Sequence, residues 1–248
     1  MITYKSPQEI SIMREAGKMV ANTHRMLSEL VKPGITTAEL DVAAEKFIRS
    51  QGGEPAFKGY HGFPASICTS INEEVVHGIP SLRRLKGGDI ISIDVGVRYK
   101  GYYGDAAVTH PVGEISPSIE ELLEVTRQSL YQCFKYARVG YRLSDISHSI
   151  QAYVESNGFS VVRNYVGHGI GSVMHEEPQI PNFGKPGRGP RLEKGMTLAI
   201  EPMVNVGTWK VETLEDNWTV VTCDRSFSAH FEHTIAIGEG DPEILTEC

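Results

Sequence analysis

Two aspartates in adjacent apolar segments are spaced so that they could act together. Asp94 ends a β-branched run, and Asp105 lies in a second run, after the turn-like sequence Arg98-Tyr-Lys-Gly101. If the two runs form a β-hairpin, strand alternation places both carboxylates on one face. Ionised carboxylates are rarely buried without a cation or a partner. The pair therefore indicates a metal site, the alternative being that each aspartate is an ordinary turn or edge residue.

The same pattern of two helices followed by strands occurs twice along the chain. Residues 85–94 align with residues 192–201, and residues 105–108 align with residues 232–235. These alignments set Asp94 against Glu201 and Asp105 against Glu232, each at the same point of a strand. The repeat predicts a single catalytic domain of two halves, about 1–113 and 114–248, with four carboxylates at a central site.

A histidine completes the candidate ligand set. His168 stands in Gly167-His-Gly-Ile-Gly171, where glycines allow the backbone to approach a site closely. Four carboxylates and one imidazole suit two bridged divalent ions such as Mn²⁺, Fe²⁺ or Co²⁺. Paired ions of this kind can hold a bridging hydroxide and polarise a carbonyl. The sequence contains no H-E-x-x-H and no CxxC, which excludes the single-zinc protease motif and a cysteine-ligated site.

Other side chains in glycine- or acid-flanked loops could serve the same centre. For His61, His77 and His175 taken singly, a structural role is the ordinary interpretation, but the last two stand in stretches that lead to ligands. An imidazole there can donate a hydrogen bond to an oxyanion or to a leaving amide. A further group, core residues by type, predicts an apolar pocket with a sulfur contact. That group is Tyr60, Phe63, Cys68 and Trp218.

Caps and breakers predict the helices that must position these residues. The predicted helices begin at Ser6-Pro7, at Thr36 or Thr37, at Ser116-Pro117 and at Ser144-Asp145. They end before Lys32-Pro-Gly34, at Gln51-Gly-Gly53, at about Arg138 and near Asn157. The rest of the sequence has the patterns of strands and loops, so the predicted fold class is α+β.

Composition limits the other possibilities. The 248 residues carry a formal charge of −7, which disfavours a sequence-specific nucleic-acid surface. The four cysteines are scattered and predict free thiols in a reducing compartment. The chain carries neither a signal-peptide pattern nor an apolar run of membrane-spanning length, and a cytoplasmic location is expected.

These motifs give the whole chain a resemblance to the bacterial type I methionine aminopeptidases. The segments that carry the resemblance are Gly59-Tyr-His-Gly-Phe-Pro64, Ser70-Ile-Asn-Glu73, Val76-His-Gly-Ile-Pro80, Ile93-Asp94, Gly104-Asp105, Gly167-His-Gly-Ile-Gly171, His175-Glu-Glu-Pro178, Ile200-Glu-Pro-Met203 and Phe231-Glu-His-Thr234. The resemblance implies the pita-bread fold, in which two pseudo-symmetric halves surround a central antiparallel sheet with helices on the outer face. It also implies removal of the initiator methionine from nascent chains whose second residue is small, by a metal-bridging hydroxide.

The resemblance further implies a role for each site residue. Asp94 would bind one ion, Asp105 and Glu232 would bridge both, and His168 and Glu201 would bind the other. Glu201 would carry the proton, His175 would stabilise the oxyanion, and His77 would contact the scissile amide or the next residue. The methionine pocket would be formed by Tyr60, Phe63, Cys68 and Trp218.

The same resemblance implies cofactors and partners. The two ions would be Fe, Mn, Co or Zn, and a monovalent cation would lie near Asn72, Glu74 and Ser228. The expected partners are nascent polypeptide N-termini at or near the ribosome, and the expected state is a monomer. Phe57 and Met174 depart from the family's pattern, which affects only fine specificity.

Two alternatives follow from the same residues. One is another peptidase of this fold, such as an aminopeptidase P or a prolidase. The other is a non-catalytic binding protein that kept the fold but lost the metals.

Overall fold

The first two helices each begin after a residue whose side chain satisfies a free amide group. The computed structural model describes residues 1–247, and its helices are α1 (Pro7–Leu30), α2 (Thr37–Ser50), α3 (Pro117–Cys133) and α4 (Leu143–Ser156). Ser6 and Thr36 cap α1 and α2 in reciprocal capping boxes with Glu9 and Glu39, so Thr36 is the cap of the second helix. The third helix is shorter than predicted, because the chain tightens into a 3₁₀ turn at Phe134–Tyr136.

In each half the strands follow the two helices. In the first half they are β1 (Glu54–Pro55), β2 (Cys68–Ile71), β3 (Glu74–Val76), β4 (Ile90–Tyr99) and β5 (Tyr102–Pro111). In the second half they are β6 (Ser160–Val161), β7 (Gly167–Gly169), β8 (Glu176–Ile180), β9 (Thr197–Ile200), β10 (Met203–Asn205), β11 (Val211–Thr213), β12 (Val220–Thr222), β13 (Ser228–His230), β14 (His233–Ala236) and β15 (Glu243–Ile244).

All strand pairs in the described residues are antiparallel. One sheet has the order β1-β4-β2 with β5 paired to β4, and a second has the order β15-β14-β9-β7-β8. Two smaller sheets have the orders β13-β10-β6 and β11-β12-β3. The last of these joins the halves, because β3 comes from the first half and the β11–β12 hairpin from the second.

The predicted hairpin is confirmed. Strands β4 and β5 turn at Lys100 and Gly101, which both have positive φ angles, 48° and 84°. Asp94 lies opposite Ala107, and Asp105 lies opposite Gly96. Since opposed residues and residues two apart share a face, both aspartates point to the same side of the sheet.

The opposite side of this sheet carries apolar residues toward the helices. Ile91, Ile93 and Val95 of β4 are fully buried against Met19 and Val20 of α1. In the second half, a separate apolar cluster joins α3 and α4 to β9 through residues such as Leu130, Ile146, Leu198 and Ile200. Burial of each such side chain contributes about 1.5–3 kcal/mol. In each half the helices therefore cover one face of a sheet.

Two further sequence predictions concern thiols and membrane spans. Cys68 and Cys133 are buried free thiols and Cys223 is an exposed one, while Cys248 lies outside the described residues. Among residues 1–247, no helix is both long and apolar enough to cross a membrane.

Candidate metal centre

The two pairs of acids converge on one cavity at the junction of the halves. Asp94 lies in β4 and Asp105 in β5, whereas Glu201 directly follows β9 and Glu232 directly precedes β14. The cavity has a volume of about 240 Å³. Its lining contains every predicted site residue, together with two that were not assigned a role there: Phe57, Tyr60, His61, Phe63, Cys68, His77, Asp94, Asp105, His168, His175, Glu201, Trp218 and Glu232.

Threonine hydroxyls join the two halves beside the ligands. The Oγ1 hydroxyl of Thr234 donates to the carbonyl of Asp105 at 2.8 Å and accepts the N–H of Asp105 at 3.0 Å. The N–H of Glu232 donates to the carbonyl of Ala107 at 2.9 Å. Asp105 and Glu232 are therefore held next to each other by contacts between β5 and the start of β14, which are not part of a regular strand ladder.

His168 presents a lone pair to two carboxylates. Its Nδ1 lies 2.8 Å from the carbonyl of Gly169, which can only accept, so Nδ1 carries the proton. Its Nε2 lies 4.0 Å from Oδ2 of Asp105 and 3.7 Å from Oε1 of Glu201. A lone pair that faces carboxylate oxygens is unfavourable unless a cation or a proton lies between them.

The carboxylates have the same requirement. Oδ1 of Asp94, Oδ1 of Asp105 and Oε1 of Glu232 are buried without a hydrogen-bond partner in the described residues. Burial raises the pKa of Asp94 to about 7. Burial and neighbouring carboxylates raise the pKa values of Asp105, Glu201 and Glu232 well above their usual range.

A divalent ion would satisfy these groups together. Single ligand atoms of Asp105, His168 and Glu232 lie within 4.8 Å of one another. Oxygen donors with one imidazole form a donor set suited to Mn²⁺, Fe²⁺ or Co²⁺. The residues present therefore fit a divalent metal centre, as the sequence predicts. The number of ions and the division of ligands between them stay predictions.

The glycines on either side of His168 allow close packing of neighbouring strands. A Cβ on Gly167 would lie 2.4 Å from the carbonyl oxygen of Ala199, and one on Gly169 would lie 2.3 Å from that of Glu177. The sequence-based reason for these glycines, that they let the backbone approach the site, is therefore wrong. They allow β7 to lie tightly between its neighbouring strands, which sets the position of His168.

His175 stands at the rim of the cavity and is oriented by Tyr60. The Tyr60 hydroxyl lies 2.7 Å from Nδ1 of His175, and the rings of His175 and His168 are 4.3 Å apart. If the hydroxyl donates, the remaining proton of a neutral His175 is on Nε2 and free for a substrate oxygen. Burial lowers the pKa of His175, which favours that neutral form.

His77 lines the same cavity in an unusual backbone conformation. It follows β3 with a φ of 60°, and its ring packs edge-on against Tyr165 and Trp218 at 5.6 and 6.5 Å. Burial lowers the pKa of His77 to about 4, so the imidazole is neutral near pH 7. A left-handed conformation for a non-glycine residue costs free energy, and such residues concentrate at functional sites.

The apolar wall of the cavity comes from both halves. Phe63 and Trp218 meet edge to face at 5.1 Å, and the Cys68 thiol is buried beside Asp94, its partner in the β2–β4 register. Burial raises the pKa of Cys68 well above its usual value, so the group is a neutral thiol. The structure thus brings together all the residues predicted to form the pocket.

Phe57 and Met174, the two departures from the family's pattern, are packed behind this wall. A Cβ on Gly96 would lie 2.6 Å from Cε1 of Phe57 and 3.0 Å from Cε of Met174. Gly96 is the residue opposite Asp105, so its missing side chain makes room for both. Phe57 also lines the cavity.

Sequence reasoning missed one buried histidine. His230 ends β13, two residues before Glu232, and its Nε2 lies 3.7 Å from Oε2 of Glu201. Burial lowers its pKa to about 3. Its position in the run Ala229-His-Phe-Glu232, where alternation puts it on the same face as Glu232, is the sequence feature that could have indicated it.

The residues predicted to hold a monovalent cation are close in the structure but have protein partners. Ser228 donates its N–H to the carbonyl of Asn72 at 2.8 Å. The Asn72 side chain bonds Asp89 and Ile90, and Glu74 accepts from Ile71 and pairs with Arg83. A monovalent cation near Asn72, Glu74 and Ser228 stays a prediction.

Fold and site together define a hydrolase-type metal centre between two related α+β halves. The family model for "Metallopeptidase family M24" matches residues 11–239. A methionine aminopeptidase 1 from Bacillus subtilis is 61% identical over 246 residues, 99% of each chain. A solved methionine aminopeptidase from Thermotoga maritima superposes with a TM-score of 0.99 at 51% identity, over 100% of both chains. A solved Xaa-Pro dipeptidase from Bacillus anthracis has a TM-score of 0.79 at 21% identity, and 62% of that chain is covered, a likeness of fold alone.

The chain belongs to metallopeptidase family M24 and, within it, to the bacterial type I methionine aminopeptidases. The predicted family, the pita-bread fold and a metal-dependent aminopeptidase are thereby confirmed.

Proposed function

We propose that this enzyme hydrolyses the peptide bond after an N-terminal methionine when the second residue is small. The observation that carries the proposal is the form of the cavity. At one end lie four carboxylates and an imidazole, and along the wall lie Phe63, Cys68 and Trp218. A volume of about 240 Å³ is sufficient for a single side chain of methionine's size beside the carboxylates.

Asp94, Asp105, His168, Glu201 and Glu232 would hold two divalent ions, with Asp105 and Glu232 shared between them. Fe, Mn, Co and Zn all suit this donor set. Such ions supply Lewis acidity toward the substrate carbonyl and lower the pKa of water at neutral pH.

The protein's own groups bind and orient the substrate. The apolar wall takes the methionine side chain, and its thioether lies against the Cys68 thiol and the aromatic rings. His175, held by Tyr60, donates from Nε2 to the carbonyl oxygen as negative charge develops there. His77 contacts the scissile amide or the residue after it.

Glu201 moves the proton. Its side chain is 13% exposed and faces the cavity, where it can take a proton from the attacking water and deliver it to the leaving amide nitrogen.

The physiological substrates would be nascent polypeptide N-termini, met at or near the ribosome in the cytoplasm. We propose that the chain acts as a monomer with a single catalytic domain, whose related halves are about residues 1–113 and 114–248. The formal charge of −7 gives no support to sequence-specific nucleic-acid binding.

The test is release of free methionine from peptides after chelation and addition of Mn²⁺, Co²⁺ or Fe²⁺. We expect turnover of Met-Ala-Ser and little turnover of Met-Leu-Ser. Hydrolysis of an X-Pro substrate without activity on Met-Ala-Ser would favour an aminopeptidase P or prolidase activity. Loss of both activities in metal-loaded protein would favour a non-catalytic binding protein.

A further inference from the structure

His230 is held rigidly by its main chain. Its N–H donates to the Thr109 hydroxyl at 2.9 Å, and the same hydroxyl donates to the His230 carbonyl at 2.8 Å. Because that hydroxyl has only one proton, the Ser92 hydroxyl, 2.8 Å away, must be the donor in their contact. The residue is 2% exposed, so its ring lies in the protein interior.

The carboxylate of Glu201 lies between two imidazoles, with one oxygen facing each. Oε1 lies 3.7 Å from Nε2 of His168, and Oε2 lies 3.7 Å from Nε2 of His230. The two contacts differ in chemistry. The proton of His168 is on Nδ1, where it bonds Gly169, and its Nε2 is an acceptor. In contrast, Nε2 of His230 is buried and has no hydrogen-bond partner in residues 1–247.

We propose that His230 is a positioning residue whose Nε2–H donates to Oε2 of Glu201 and holds this carboxylate in the orientation that proton transfer requires. The inference rests on the function proposed above, because it gives Glu201 its partner in that reaction. A donor to one oxygen leaves the other free to face His168. The separation of 3.7 Å needs a small closure, as is common for catalytic hydrogen bonds before substrate binds.

Such a contact acts through Glu201 alone, which makes it testable. Groups that orient a metal ligand typically contribute about 10- to 100-fold to activity or metal affinity. We expect His230→Leu to lower kcat on Met-Ala-Ser by about 10- to 100-fold at saturating Mn²⁺, with little change in KM. His230→Gln keeps an N–H donor and should recover most of that loss. His110→Leu, which removes a largely buried histidine from the helix side of β5, is the matched control and should keep wild-type kcat.

A double-mutant cycle separates positioning from a general structural effect. In a Glu201→Gln background, His230→Leu should lower kcat by less than about threefold, because the group that it orients no longer moves a proton. In a His175→Ala background, His230→Leu should lower kcat by the full factor of about 10 to 100. Equal losses in both backgrounds, or an unchanged kcat in His230→Leu, would overturn the proposal.

A measurement on the wild-type chain decides the question even if His230→Leu does not fold. In ¹⁵N-histidine-labelled, Zn²⁺-loaded enzyme, we expect the His230 signal to report a proton on Nε2. That proton should shift in Glu201→Gln. A proton on Nδ1 would overturn the proposal. Failure of the wild-type enzyme to cleave Met-Ala-Ser would instead contradict the proposed function, and the tautomer of His230 would still be measurable.

Discussion

The hydroxyl of Thr234 bonds both main-chain groups of Asp105, and these residues belong to different halves of the molecule. Thr109 makes the equivalent pair of bonds in the other direction, to His230 beside Glu232. Each half therefore uses a threonine side chain to complete the backbone bonding of the other half, next to a ligand. This explains how two carboxylates from separate sheets can be held close enough to share an ion.

Thr234→Val should weaken both the fold and the metal centre. Valine has nearly the same shape but leaves the buried N–H and carbonyl of Asp105 without partners, at a cost of about 1–3 kcal/mol. We expect a lower Tm in calorimetry and a larger Kd for Mn²⁺ in titration calorimetry. Thr234→Ser keeps the hydroxyl and should stay close to wild type. A wild-type Kd in Thr234→Val would show that the bridge does not position Asp105.

Glu201→Gln should lower kcat much more than it raises KM. The amide keeps an oxygen toward His168 but cannot take up a proton, and proton transfer by a placed side chain is worth about 10²- to 10⁴-fold. Steady-state kinetics on Met-Ala-Ser, with metal content measured in the same sample, is the appropriate experiment. Glu215→Gln, an exposed change on the β11–β12 hairpin, is the control. Unchanged kcat with metal fully bound would exclude Glu201 as the proton carrier.

The sequence was sufficient for the elements with strong local determinants. Ser6 and Thr36 mark helix starts by their capping chemistry, and strand alternation predicts that Asp94 and Asp105 share one face of a hairpin. The internal repeat then located Glu201 and Glu232. For the caps and the hairpin the information lies in neighbouring residues, whereas the repeat compares residues 85–94 with the distant residues 192–201.

What the sequence did not reveal depends on contacts between distant segments. His230 is important because of its distance to Glu201, and the two are 29 positions apart. The glycines beside His168 pack against Ala199 and Glu177, partners that no local pattern identifies. The third helix ended early because a 3₁₀ turn competes with the α-helix there, a difference of small energy.

Tyr60→Phe should reduce kcat while leaving the metal centre intact. The change removes the hydroxyl that bonds Nδ1 of His175, and the imidazole then loses its fixed orientation and tautomer. Because one neutral hydrogen bond is lost, we expect a decrease in kcat of about 5- to 20-fold, equivalent to about 1–2 kcal/mol.

His175→Ala should lower kcat further and should fold and bind metal normally, as should His77→Ala. Adding Tyr60→Phe to His175→Ala should then cost little more, because the two residues act together. Kinetics of the four variants on Met-Ala-Ser test this. Loss of metal from His175→Ala or His77→Ala would mean that the histidine has a structural role.

The buried His24 should make the stability of the metal-free chain depend on pH. Its Nε2 lies 2.8 Å from the carbonyl of Ala106, behind the sheet, and burial lowers its pKa from 6.5 to about 4. Between these pH values the unfolded chain binds a proton that the folded chain does not. The free energy of unfolding therefore falls as the pH is lowered through this window, and this residue contributes about 2 kcal/mol between pH 7 and pH 5.

His24→Gln keeps a donor for Ala106 but removes the titrating group. Between pH 7 and pH 5, the free energy of unfolding of this variant should fall by about 2 kcal/mol less than that of the wild type. The measurement is urea unfolding with a chelator present. His148→Gln, an exposed change on α4, should follow the wild-type curve. If His24→Gln and wild type lost stability in parallel, protonation of His24 would not contribute to acid unfolding, and the other buried histidines would have to account for it.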